Sequence, residues 1–198
     1  MERVSEMEEY IREYRNIRQS VKSGMIEEEY HCLLPSLYTY MDSLIKEQTF
    51  RRKSDGQEGI KYILFFRLLS SGYTGSNEIA LGMSNSMIYL DDNFSCVYWR
   101  PNYVYENIEK DIEEVKRILQ QKYIRIEEFE LLYLKQKLLM DDWDVFSKII
   151  GKLMERIAER VINSSLPLEN ELEILYGDYM DRLEVAAKIE TEGRRKNG

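Results

Sequence analysis

The sequence has few of the residues from which covalent or metal-bound sites are built. Only two of its 198 residues are cysteine and only one is histidine. Cys32 and Cys96 are far apart and form no C-x-x-C pair, which argues against a zinc ribbon or a redox dithiol. Free, widely spaced cysteines are typical of a reducing compartment, so the sequence predicts a cytoplasmic protein.

Long hydrophobic runs are also missing. The most apolar run, residues 62–69, is short and is interrupted by Arg67. A helix that spans a bilayer needs roughly 20 apolar residues. The first six residues are charged from the outset and predict no secretory signal. The expectation is therefore a protein without a membrane partner.

The shortage of histidine limits the catalytic and metal chemistry that the chain can offer. His31 follows Glu28 with E-x-x-H spacing, but helical di-iron sites need two such pairs and the sequence has one histidine. The adjacent Cys32 would point about 100° away from His31 on a helix. No G-x-S-x-G elbow is present, and no S-x-x-K is supported by its partner motifs. We therefore predict no catalytic residue, no metal and no cofactor, which favours a non-enzymatic function.

Charge of one sign prevails. The chain has 36 acidic and 28 basic residues, a formal net charge of −8, which disfavours contact with nucleic-acid phosphates. The basic clusters at 51–53 and 194–196 have three residues each and would bind nucleic acid weakly and in a salt-sensitive way. An acidic inhibitor that mimics nucleic acid is an alternative function. It requires acidic side chains along one face, whereas Arg and Lys are interspersed in nearly every segment.

Proline is scarce as well, at three residues, and helical periodicity dominates the chain. Apolar residues recur at steps of three and four over 2–23, and Gly24 is a plausible stop. Residues 58–70 are apolar nearly all round and predict a buried central helix. Residues 168–183 predict a last amphipathic helix from leucines and a tyrosine spaced three or four apart. Near Pro35, either a short turn precedes a new helix or one helix kinks.

The most regular feature is a heptad-like series in a helix predicted over 127–163. It has one polar exception, Gln136, and is interpreted as hydrophobic core or partly as a dimer interface, with core favoured. Asp141 and Asp144 share a face of this helix and offer two carboxylates to a cation, but together with Asp142 they fit a solvated face better. The series consists of Phe129, Leu132, Gln136, Leu139, Trp143, Phe146, Ile150, Leu153 and Ile157.

The middle of the chain changes character. Short apolar runs at 78–83, 87–90 and 94–99 are separated by Ser, Asn and Asp clusters, which predicts a three-stranded antiparallel meander. The expected fold is mainly α, an α+β protein in which helix dominates: a bundle of five or six helices with this β insert at 78–99. Residues 1–192 are expected to form a single domain, and residues 193–198 a disordered basic tail.

The β insert and its flanks hold the densest mixture of aromatic and charged side chains, which is what a ligand pocket or a protein interface needs. The leading hypothesis is a non-enzymatic partner-binding or regulatory protein that self-associates as a homo-oligomer. The alternative is a small-molecule or phosphate-ligand site, or an enzyme, at the insert. The candidate site residues are Arg67, Tyr73, Asp91, Asp92, Tyr98, Trp99, Arg100 and Tyr103.

Overall fold

The computed structural model describes residues 2–53 and 58–191, apart from the side chains of residues 71–73. Helices cover one face of a five-stranded mixed β-sheet. The helices are α1 (Glu2–Tyr10), α2 (Arg12–Glu29), α3 (Leu34–Arg51), α4 (Leu69–Thr74), α5 (Asn102–Tyr105), α6 (Ile108–Leu119) and α7 (Glu128–Ile162). The strands are β1 (Ile60–Arg67), β2 (Ile79–Ser84), β3 (Ser95–Trp99), β4 (Leu168–Asp178) and β5 (Leu183–Glu190).

The predicted helical bundle with a three-stranded meander is wrong. The sheet has five strands in the order β3-β2-β1-β4-β5, and β1 and β4 are parallel while the other neighbours are antiparallel. Four of the described helices, α2, α3, α6 and α7, are longer than ten residues. Two segments that were predicted as helices, 58–70 and 168–183, form the parallel strands β1 and β4 and the start of β5 instead.

The segment predicted as a buried central helix forms β1, the middle strand. Ile63 and Phe65 face the helices, whereas Leu64 and Phe66 belong to a second apolar cluster on the opposite face. A strand that is paired on both edges and covered on both faces has no polar side. Its apolar run therefore lacks the alternation by which strands are usually recognised.

The segment predicted as the last helix forms β4 and the start of β5. Leu172 and Ile174 belong to the helix-facing core, and Leu175 belongs to the opposite cluster. This alternation is that of a strand, in which successive side chains point to opposite faces. Glu171 and Glu173 both contact Lys188 of the neighbouring strand β5, at 3.3 and 3.1 Å.

The predicted meander at 78–99 contains two strands, β2 and β3, and not three. Residues 88–90 form a 3₁₀ turn instead of a middle strand. The Asp91 carboxylate accepts hydrogen bonds from the amides of Asn85 and Asn93, both at 2.8 Å. These bonds hold the connection in a compact loop, so its backbone groups do not join the sheet.

Helix boundaries also differ from expectation. The first segment contains two helices that meet at Ile11, and α2 continues through Gly24 to Glu29. Near Pro35 the structure has a short 3₁₀ turn followed by a new helix, with the proline in its first turn, where no amide donor is needed. The predicted tail at 193–198 lies outside the described residues.

The long helix α7 is continuous over 35 residues and spans roughly 52 Å. Its first turn is fixed by reciprocal hydrogen bonds between the side chains and backbones of Glu127 and Glu130. The C-terminal half packs on the sheet, where the Phe146 ring lies 5.9 Å from the Trp99 ring. The N-terminal half contacts α1 through Glu130, α2 through Asp141 and Asp142, and α6 through Lys135.

Candidate functional site

Helix α2 packs against α7 through basic side chains. The Arg15 guanidinium donates two hydrogen bonds to the Asp141 carboxylate, at 2.8 and 2.9 Å. Arg18 contacts both oxygens of Asp142, at 2.8 and 2.9 Å, and the Lys22 Nζ lies 2.8 Å from Asp142 Oδ1. The three basic residues are spaced i, i+3 and i+7, so they form one face of the helix. This face, which continues into the buried Ile26, meets α7.

Helix α6 supplies a second carboxylate to the same cluster. Arg18 Nε donates to Asp111 Oδ2 at 2.7 Å, and the Tyr14 hydroxyl donates to Asp111 Oδ1 at 3.1 Å. Burial, together with the nearby Asp111, raises the pKa of Tyr14 to about 12. The four groups Arg18, Lys22, Asp111 and Asp142 form what we call the charge cluster, and their formal charges balance.

Burial governs the electrostatics of the charge cluster. The Asp142 side chain has no solvent exposure, and this burial raises the pKa of its carboxyl even though Arg18 and Lys22 oppose the shift. Burial also lowers the pKa of Lys22, against the attraction of Asp142. Both directions show that desolvation opposes the charged states, as expected where buried ions give up hydration. At Arg18, desolvation lowers the pKa, but the contacts with Asp142 and Asp111 outweigh it and raise the pKa. Through these contacts the cluster fixes how α2 is rotated on α7.

The consequence of this rotation is an open groove between α2 and α6. Ile17, Val21 and Met25 form an apolar stripe along the wall of the groove, and they are 58%, 59% and 51% exposed. Arg18 and Asp111 lie at its floor, and the cavity has a volume of about 350 Å³. Ile17 and Val21 belong to the apolar residues that recur at steps of three and four over 2–23, a pattern that predicts a buried face, and for these two residues that prediction is wrong. Below we call this feature the α2 groove.

The ends of the α2 groove are acidic. A shallower depression, lined in part by Glu6 and Glu13, continues from Ile17 along the N-terminal part of α2, and Glu106 lies at the other end. Within the described part of the chain, no cation lies within 4 Å of the Glu6, Glu13 or Glu106 carboxylates. These three residues form what we call the acidic rim. Arg12, which pairs with Glu9, and Lys122 line the same depression as Glu6 and Glu13, so carboxylates outnumber cations there by three to two.

The candidate residues at the β insert have different roles. Asp91 is buried in an ion pair with Arg52 and accepts the amide hydrogen bonds of its own loop. Arg52 in turn donates to Gln48 Oε1 at 2.7 Å and to the carbonyl of Glu58 at 2.8 Å. Asp92 is exposed. The Asp91 carboxylate is thus occupied in joining α3 to the β2–β3 loop.

The aromatic candidates of the insert do not converge either. Trp99 is fully buried in the core and donates its indole N–H to Ser36 Oγ at 3.2 Å, whereas Tyr98 is 54% exposed on the other side of β3. Arg100 is exposed. The structure therefore brings none of these side chains into one concavity with Asp91.

The remaining candidates lie in three places. The Arg67 guanidinium pairs with Asp178 at 2.6 Å and lies over the Trp143 ring, 5.5 Å from its centroid. Tyr73 is in α4, and its side chain lies outside the described residues. Tyr103 borders the α2 groove and donates its hydroxyl hydrogen to Glu29. Of the eight candidates, Tyr103 is the one that the structure places at this groove.

Asp141 and Asp142 were interpreted from the sequence as part of a solvated face, and this interpretation is wrong. Asp141 is 8% exposed and Asp142 is fully buried, while Asp144 is exposed. Within residues 2–53 and 58–191 no group of three or more His, Cys, Asp or Glu side chains is arranged to hold a metal ion. The sequence signal for the basic half of the charge cluster was the spacing of Arg18 and Lys22 on the same face as Arg15, but that spacing does not identify the carboxylates with which they pair.

Comparison with known proteins gives no further guide to the site. Neither a protein-family model nor a curated protein nor a solved structure matches the chain. In the part of the chain that the structure describes, no helix has the length and apolar character needed to cross a membrane. The geometry of the α2 groove is therefore the basis for proposing a function.

Proposed function

We propose that this chain is a partner-binding protein and that the α2 groove receives an amphipathic helix of the partner. The observation that carries the proposal is the orientation of α2. This helix buries Arg18 and Lys22 while it leaves the apolar stripe of Ile17, Val21 and Met25 more than half exposed. Exposed apolar patches flanked by polar residues mark interaction sites in folded proteins.

The dimensions of the stripe fit a helix. Ile17, Val21 and Met25 are spaced by four residues and extend over roughly 12 Å, which is about two turns. A helical ligand presents anchors at i, i+3 or i+4, and i+7 over the same distance. Covering the exposed parts of these three side chains would remove roughly 300 Å² of apolar surface from water and contribute about 7 kcal/mol before the costs of association.

The floor of the groove supports binding more than catalysis. Its polar groups already contact one another: Asp111 contacts Tyr14 and Arg18, and Asp142 contacts Arg18 and Lys22. A partner therefore meets apolar contacts in the centre and unpaired carboxylates at the ends. The alternative of a ligand site at the β insert has less support, because the Asp91 carboxylate is taken up by its own loop.

The acidic rim indicates the charge of the partner. Carboxylates of Glu6, Glu13 and Glu106 at the two ends favour Lys or Arg on either side of the apolar anchors, since complementary charge speeds association and excludes acidic partners. We expect a helix with three or four apolar residues on one face and basic residues at both ends.

Selection from a displayed peptide library tests this proposal without knowledge of the natural partner. Wild-type protein should enrich helical, apolar-faced peptides with basic flanks. Val21→Asp places a charge in the centre of the stripe and should weaken the selected peptides by about 30-fold or more, which corresponds to about 2 kcal/mol. Fluorescence anisotropy with labelled peptides measures the change in Kd.

A matched control separates the groove from exposed apolar surface in general. Phe50 on α3 is 73% exposed and lies away from the groove, so Phe50→Asp should leave peptide affinity unchanged. Equal binding of the selected peptides to wild type and to Val21→Asp would refute the proposal. Enrichment of acidic peptides, or of peptides without an apolar helical face, would also contradict it.

A further inference from the structure

A second apolar surface lies on α7, where the helix extends beyond the sheet. The apolar series of this helix is buried from Leu139 onwards, where strands and helices cover it. Towards the N terminus the same face is uncovered. Phe129 is 64% exposed, and Met140, which follows the buried Leu139 but lies outside the core, is 46% exposed. We call this surface the overhang patch, and it consists of Phe129, Leu132, Tyr133 and Met140 of α7 together with Leu69 of α4.

We infer that the overhang patch is the interface of a homodimer, in which α7 of one copy packs against α7 of a second copy. The first argument is the apolar area of the patch, because its five side chains are exposed to between 38% for Tyr133 and 64% for Phe129. They correspond to roughly 450 Å² of apolar surface. A stable interface of ordinary size buries about 800 Å² per partner, of which somewhat more than half is apolar. The patch therefore supplies the apolar part of one such interface.

The charges around the patch are the second argument, because they permit a copy of the same surface. Lys135 contacts Glu109 at 2.5 Å, and Arg125 contacts Glu127 at 2.7 Å. Lys137 lies 3.5 Å from Glu8. A two-fold interface brings a surface against itself, so an unbalanced charge would repel its own copy. Lys137 shares Glu8 with Arg15, which also pairs with Asp141, so each of these cations is matched by a carboxylate and does not repel its own copy.

The acidic rim of the α2 groove, in contrast, consists of carboxylates that are not paired with cations among the described residues. Two copies that met through their grooves would bring the unpaired carboxylates of Glu6, Glu13 and Glu106 towards one another. The groove and the patch also lie on different sides of α7, because Asp141 and Asp142 face α2 whereas Phe129 and Met140 do not. The homodimer therefore leaves both grooves open, and this inference does not depend on the proposed function.

Sedimentation velocity over a range of protein concentrations tests the inference. Wild-type protein should approach twice the chain mass of 23.7 kDa as concentration rises. The double variant Phe129→Glu and Leu132→Glu should remain a monomer throughout that range. Both changes replace exposed side chains, and Phe129 lies in the first turn of α7, where an acidic residue is favourable. The variant should therefore keep the wild-type circular dichroism and, at concentrations where wild type is monomeric, its Tm.

Two further variants serve as controls. Phe50→Glu adds a charge at another exposed aromatic side chain and should dimerise like wild type. Val21→Asp in the α2 groove should also dimerise like wild type. A monomeric wild type at every concentration would overturn the inference. So would a dimer that survives the double change in α7, or a dimer that Val21→Asp abolishes.

Discussion

Replacing Asp142 by leucine tests the charge cluster that orients α2. The Asp142 side chain has no exposure and is the ion-pair partner of both Arg18 and Lys22. After Asp142→Leu, Arg18 keeps its contact with Asp111 at 2.7 Å. Lys22 has no such second carboxylate within 4 Å in the described part of the chain, and its side chain is only 14% exposed. The variant therefore leaves one buried ammonium group without a counter-ion.

The magnitude follows from the cost of an uncompensated buried charge. Removing one partner of a buried pair typically destabilises a protein by about 3–5 kcal/mol. This is a large part of the roughly 5–15 kcal/mol by which folded domains are stable. Lys22→Met alone should cost less, because Arg18 still holds Asp142 through two contacts. The double variant Lys22→Met and Asp142→Leu removes both charges and should lie within about 1 kcal/mol of wild type, or above it.

Urea unfolding followed by far-ultraviolet circular dichroism gives the four free energies of unfolding for this cycle. The coupling between Lys22→Met and Asp142→Leu should be favourable by about 3 kcal/mol. A cost below about 1 kcal/mol for Asp142→Leu would contradict the reasoning. A double variant as unstable as the single Asp142 variant would also contradict it, because the loss would then come from packing rather than from an unpaired charge.

The buried ion pair at the β insert leads to two further predictions. Asp91→Ala should destabilise the protein by about 3–5 kcal/mol, since it leaves Arg52 unpaired, whereas Asp92→Ala at an exposed position should stay within about 0.5 kcal/mol of wild type in the same urea assay. Burial raises the Asp91 pKa, but the amides of Asn85 and Asn93 and the Arg52 charge outweigh this effect, so the folded pKa is lowered. The contribution of Asp91 to the free energy of unfolding is therefore complete above the unfolded pKa of about 3.9 and is lost as pH falls through the folded pKa. A difference in this free energy between wild type and Asp91→Ala that persists unchanged in strong acid would refute the prediction.

The sequence predicts individual helices better than the sheet, and β1 shows why. The run Ile60–Arg67 is rich in β-branched and aromatic residues, which favour a strand. Its apolar character on both faces nevertheless matches a buried helix of similar length. In β4, leucines spaced by three and four obscured the alternation of Leu172 and Ile174 with Glu171 and Glu173. Whether such a segment forms a helix or a strand depends on pairing partners far away in the chain, and the periodicity within the segment does not reveal those partners.

The α2 groove could not be predicted for a related reason. Helix α2 carries an apolar stripe and a basic stripe side by side, and local periodicity favours burial of the apolar one. Which stripe is buried depends on Asp141 and Asp142, more than 110 residues further along the chain. Their neighbours on α7 resemble an ordinary core helix, so nothing local indicates that two carboxylates point inward.

The orientation of α2 can be measured directly by covalent labelling and mass spectrometry of the native protein. Dilute peroxide should oxidise Met25, which is 51% exposed, about as fast as Met180 at 67%, while Met7 at 0% stays protected. In the same sample an amine reagent should modify the exposed Lys148 and spare Lys22 in the charge cluster. Protection of Met25 together with ready modification of Lys22 would show the opposite face of α2 turned outward and would contradict the account.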